Sequence, residues 1–133
     1  MGSFGDYLEL AVLDHVFGKT TYTAPATIYM ALFTSVPSDS GGGTEVSAGD
    51  YARLGITNNT TNFPAAASGS KTNGTDFAFG VASSSWGTVT SVGFFDASSS
   101  GNLLAWGTVA ANKTISSGDT ATFLAGEITI TLD

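Results

Sequence analysis

The chain has one histidine, His15, directly after Asp14, and no cysteine. Neighbours in sequence point to different faces of a helix, so this Asp-His pair does not form a base with its orienting acid. A Ser-His-Asp arrangement would also need a serine on a sharp elbow, and no G-x-S-x-G surrounds any serine here. The runs Ser83-Ser84-Ser85 and Ser98-Ser99-Ser100 read as turn material. A glycosidase-type carboxylate pair needs one acid in an apolar pocket, yet Asp39, Asp50, Asp96 and Asp119 stand among turn residues, where a carboxylate ordinarily binds backbone N–H groups. Asp39-Ser40-Gly41-Gly42-Gly43 lacks the alternating oxygen ligands and closing Glu of a calcium loop. Trp86 and Trp106 could stack on sugars, but each precedes a glycine in a strand-like context, which favours core or rim packing. Four N-x-[ST] sequons, at Asn58, Asn59, Asn73 and Asn112, arise by chance in so Asn- and Thr-rich a chain. The expectation is a protein without catalytic residues, bound metal or cofactor.

The elements that carry these residues follow from composition. Of 133 residues, only 11% are charged, far below the usual quarter, while 42% are hydrophobic. Ser, Thr, Gly and Asn replace the missing charges, which favours strands and turns over exposed helices. The length suits a single domain, 1–133, without a second core. Eleven carboxylates against four cations give a net charge of -7, so nucleic acid and anionic membrane are expected to be repelled. No run reaches ~18 apolar residues, and the N-terminal stretch lacks the basic start and apolar run of a signal peptide. The chain is therefore expected to be made and kept in the cytosol until something packages it.

A helix is predicted within residues 3–18. Ser3 and Asp6 have capping-box spacing, Asp6 and Glu9 complement the positive end of the helix dipole, and Gly18-Lys19 gives the stop. Its large apolar residues Phe4, Tyr7, Leu8, Leu10, Leu13, Val16 and Phe17 cover more than one face of a 3.6-residue period. One sheet can cover only one side, so these seven are the predicted assembly interface.

After Pro25 the pattern changes to short apolar runs. Ile28 to Phe33 is continuously apolar and is predicted to be a central strand. Residues 36–49 read as a loop, 51–57 as an alternating strand and 58–73 as a long polar connection. Thr75 to Val81 should place Phe77, Phe79 and Val81 on one face. Thr88 to Phe95 and Leu103 to Val109 should form a hairpin, and Glu127 to Leu132 a half-buried final strand. Together these predict a mainly β fold: an antiparallel β-sandwich or jelly-roll-like barrel over residues 27–133 with one N-terminal α-helix.

Four segments then carry a resemblance: YLELAVLDHVFGKTTYTAPATIYMALFTSVPSDS from Tyr7, YARLGITNN from Tyr51, SWGTVTSVGFFDASSSGNLLAWG from Ser85 and SGDTATFLAGEITITLD from Ser117. In their order the chain resembles a family of small tailed-phage virion proteins, often labelled tail fibre or minor tail proteins, and is similar to capsid cement, or decoration, proteins. The resemblance implies a virion structural protein with no catalytic residues to carry over. The reading taken from it is a cement protein on the outer capsid surface. Its implied partners are further copies of itself, as a homo-oligomer forming a trimer, and the major capsid protein. The alternative is a tail fibre or minor tail protein contacting the host through exposed loops; a hydrolase or lectin is the third class.

Overall fold

The computed structural model describes residues 2–132. In chain order it contains β1 (Gly2–Phe4), α1 (Asp6–Val16), β2 (Thr27–Ser35), β3 (Thr44–Glu45), β4 (Leu54–Thr57), β5 (Ser70–Thr72), β6 (Phe77–Val81), β7 (Gly87–Phe95), β8 (Leu103–Ile115), β9 (Thr120–Phe123) and β10 (Thr129–Thr131). All strand pairings are antiparallel. The protein is thus mainly β, with one helix near its N-terminus.

The largest sheet has the order β1-β8-β7-β2-β3, and β4 also pairs with β2. Strand β2 has β7 along one edge, with β4 and β3 sharing the other, β4 on its first half and β3 on its last. That central position explains the unbroken apolar run: Met30, Ala31, Leu32 and Phe33 are all buried. Two two-stranded ribbons, β6-β9 and β5-β10, supply the second layer. The register aligns Phe4, Ala105, Phe94, Met30 and Leu54 in one row across the sheet. Directly paired residues share a face, so this row packs with Phe77, Phe79, Phe123 and Ile128 from the ribbons in a sandwich-like core. Trp86 belongs to this core, edge-on to Tyr51 with ring centroids 5.3 Å apart.

The opposite face of the large sheet carries Trp106, Gly93 and Phe33. Phe33 stacks on Phe95 at 6.3 Å, and a Cβ on Gly93 would lie 2.9 Å from the Phe33 ring, so a glycine here lets the rings close over the strand. The loop after β2 is held beside this face by two bonds. The Trp106 indole N–H donates to Asp39 Oδ1 at 2.8 Å, and the Asp6 N–H donates to the Asp39 carbonyl at 2.9 Å.

Several predicted elements change their bounds. The helix begins at Asp6, because Gly2–Phe4 pairs with Ala105 to Gly107 at the edge of β8. Gly5 is the N-cap and makes no side-chain cap bond, so the Ser3–Asp6 capping box does not form. A sheet edge with unpaired main-chain groups outcompetes one more helical turn. Residues 36–49 contain the short strand β3, and residues 58–73 contain β5, which pairs with β10. The β7–β8 hairpin forms as expected, but β8 runs on to Ile115. Phe77 and Phe79 are buried while Val81 is exposed, since the β6–β9 register shifts between Ala78 and Val81.

Candidate functional site

Helix α1 starts where Gly5 is buried against β8, its N–H donating to the Leu104 carbonyl at 2.9 Å. The Leu8 and Glu9 N–H groups donate to the Gly5 carbonyl, and the acidic first turn suits the helix dipole. At the other end Gly18 takes φ 134 and Lys19 φ 58, which stops the helix and turns the chain back. The returning segment is tied to the helix: Thr20 N–H donates to the Asp14 carbonyl, Tyr22 N–H donates to His15 Nδ1 at 3.2 Å, and the Tyr22 ring meets Tyr7 edge-on at 6.5 Å. Burial, then the neighbouring Tyr7, push the Tyr22 phenol above its ordinary pKa.

The seven predicted interface residues divide into two groups. Phe4 lies on β1 and packs against the core, and Leu8 is half-buried with Ala11 and Val12 on the side of the helix that meets the body. Tyr7, Leu10, Leu13, Val16 and Phe17 remain exposed, from 42% for Tyr7 to 77% for Phe17. No helix residue is fully buried. The helix therefore has two apolar faces, of which its own chain covers one. An apolar cluster of this kind on a surface is unusual for a protein that works alone.

The residues with chemical potential serve the backbone. Asp50 accepts from the Ser83 N–H at 3.0 Å, which holds its carboxyl below the ordinary carboxylate value. Asp96 accepts from the N–H and the side-chain amide of Asn102, Asp119 from the Ser116 N–H, Asp76 from the Ala125 N–H and Glu127 from the Leu124 N–H. Asn73, one of the four sequon residues, is buried; its Oδ1 accepts from the Ile128 N–H and its Nδ2 donates to the Thr75 and Leu124 carbonyls. A glycan could not be attached there in the folded chain. Among the described residues no group of three or more His, Cys, Asp or Glu could hold a metal ion, and no helix is long and apolar enough to cross a membrane.

Sequence reasoning missed one cluster. Arg53 forks onto Glu45 with Nε and Nη2, both at 2.9 Å, and donates from Nη1 to the Ala97 and Ser100 carbonyls. Its guanidinium carbon lies 3.8 Å from the centre of the Phe95 ring. Tyr51 adds a bond to Glu45 at 2.9 Å. Glu45, Arg53, Phe95 and Ser100 border a cleft of about 540 Å³ between the start of α1 and the Asp39–Gly43 loop. All three guanidinium nitrogens are already engaged within the chain, so Arg53 acts as a clasp. The only available signal was a lone arginine in an alternating strand of a charge-poor chain, and its partners lie 8 to 47 residues away.

Fold and surface together define a small antiparallel β protein in which several acids bind turn backbone and whose N-terminal helix presents an uncovered apolar face. A family model described as podophage GP4 fiber I protein gp80 matches residues 3–131. The chain belongs to this family, and it is a structural protein of the tailed-phage virion. No curated protein matches it.

Proposed function

We propose that this protein is a fibre-type subunit of a podophage tail, and that it acts by binding other virion proteins without catalysing a reaction. The family match over residues 3–131 carries this reading, because the family bears a fibre protein's name. That name favours the tail over the outer capsid surface, the position a cement protein would take. The described residues form a globular, sandwich-like fold and not an extended shaft, so they would serve as one unit of a joint, base or tip. The uncovered face of α1 supports an assembly role, as does the use of the carboxylates in turns. Its net charge of -7 argues against nucleic acid and anionic membrane as partners. The test is to label the protein on intact virions, locate it by electron microscopy and measure its copy number. Label at the tail with a few to tens of copies is expected. Hundreds of copies spread over the shell would replace the fibre reading with the cement reading.

A further inference from the structure

On the reading of the α1 face as an assembly surface, we propose that α1 packs antiparallel against α1 of a second copy of this chain, across a two-fold axis. Three observations lead there. The first is spacing. At 100° per residue, Leu10 and Leu13 fall within an arc of about 60°, on the side of the helix away from Leu8, Ala11 and Val12, and Phe17, the C-cap, follows in the same row where the helix ends. Leu10, Leu13 and Phe17 are exposed, whereas Leu8, Ala11 and Val12 are half-buried. Adding Asp6, the outward seam reads 6, 10, 13, 17. This spacing of four, three, four is the pattern that another helix fills with its side chains. Among the described residues α1 is the only helix, so a second copy brings the matching surface.

The second observation is charge, and it fixes the direction. Glu9 and Val16 flank the seam on one side, Tyr7 and Asp14 on the other. In a parallel pair, Glu9 of one helix would face Asp14 of its neighbour, a like-charge contact repeated on both sides. In an antiparallel pair Glu9 faces Val16, and the Tyr7 hydroxyl faces the Asp14 carboxylate. Asp6 then lies at the carboxyl end of the neighbouring helix, close to Lys19, and the two helix dipoles oppose each other favourably. Leu10 packs against Leu13 of the other copy, twice, at the centre.

The third is area. Five exposed large side chains offer on the order of 400–500 Å² per copy, close to the lower limit of about 1,000 Å² in total for a specific interface. The pairing should therefore be reversible in dilute solution. In a fibre, where neighbouring subunits are held close, the effective concentration is high enough to keep it formed.

The test uses the purified full chain. Sedimentation equilibrium from about 1 to 200 μM should show a monomer–dimer equilibrium, and Leu10→Asp should weaken it at least tenfold. Leu10 is 63% exposed, so the variant should keep its fold, which near-ultraviolet circular dichroism checks. The chain has no cysteine, so direction can be read from Leu10→Cys and Leu13→Cys variants mixed under mild oxidation. The antiparallel pair forms mixed disulfides in preference to self-linked ones. A strict monomer, a trimer, an unchanged dimer in Leu10→Asp, or dominant self-linked disulfides would each overturn the proposal. Its failure would leave the fibre reading standing. Conversely, a shell location would remove the fibre reading while leaving the dimer intact.

Discussion

Replacing Arg53 with alanine should cost about 3–5 kcal/mol of stability, as removing one partner of a buried charge pair does. The Arg53 side chain is 7% exposed and that of Glu45 26%, so water cannot simply take the place of the guanidinium. Loss of Arg53 leaves Glu45 with the Tyr51 hydroxyl as its remaining donor, and leaves the Ala97 and Ser100 carbonyls without their bonds at 2.9 and 2.8 Å. It also uncovers the Phe95 ring. The clasp joins β3, the chain before β4 and the β7–β8 loop, so the loss should be felt globally. An unfolding entropy of about 2.1 cal/mol/K per residue over this chain gives about 0.28 kcal/mol/K, so Tm should fall by about 10–20 °C. Arg53→Lys keeps the charge but cannot fork, and should recover less than half of the loss. Arg53→Met combined with Glu45→Leu should be milder than Arg53→Ala, because no charge is left unpaired. Urea unfolding of the set measures each value. A loss below about 1 kcal/mol for Arg53→Ala, or additive single and double variants, would mean that the cluster behaves as a solvated surface pair and that the reasoning is wrong.

Three further outcomes follow from the structure. Asn73→Ala should cost about 2–4 kcal/mol in urea unfolding, since three buried bonds at 2.8 to 2.9 Å lose their partner; a change under 1 kcal/mol would show that water reaches the site. Gly5→Ala should cost about 1–3 kcal/mol, because the new Cβ would sit 2.5 Å from the Leu103 carbonyl oxygen and push α1 away from β8; unchanged stability and far-ultraviolet dichroism would refute that close approach. Burial raises the Tyr51 phenol well above its ordinary pKa of 10.0, opposed by the Leu32 N–H bond and reinforced by Glu45. The folded chain therefore keeps this proton where the unfolded chain releases it, so its contribution is whole below pH 10 and shrinks as pH rises above it. Stability curves of the wild type and Tyr51→Phe should diverge on the alkaline side, and parallel curves would exclude Tyr51 as the cause.

The sheet was legible where burial alone determines the strand. The run Ile28 to Phe33 has no polar alternation because β2 is covered on both faces and paired on both edges, and the β7–β8 hairpin declares itself through two apolar runs around a Ser/Gly turn. The short strands were not legible. Gly2–Phe4, Thr44–Glu45 and Ser70–Thr72 contain two or three residues each and no period to detect. They exist because a neighbouring strand offers unpaired main-chain groups, a property of the partner's sequence. Ser3 and Asp6 do have capping-box spacing, and that local signal loses to pairing with Trp106 and its neighbours. Val81 shows a similar limit: alternation predicts that it joins Phe77 and Phe79, but it is 60% exposed beyond a register shift.

For the candidate surface, the sequence held the need for cover but not its division. Seven large apolar residues around one short helix imply more than one apolar face, whatever the fold. Which of them the chain covers itself depends on where β8 lies, and this assigns Phe4 and Leu8 to the body and leaves the seam from Leu10 to Phe17 outward. The charge pattern has the same structure. Asp50, Asp96 and Asp119 accept from backbone N–H groups of the surface turns, as their place among turn residues predicts, whereas the role of Glu45 in the clasp had no sequence signal. A carboxylate held by its own backbone still adds to the net charge of -7, so like copies repel at long range while offering few free groups for ionic recognition at contact. Association of such subunits must then come from apolar area and shape, and α1 is where the chain leaves that area uncovered.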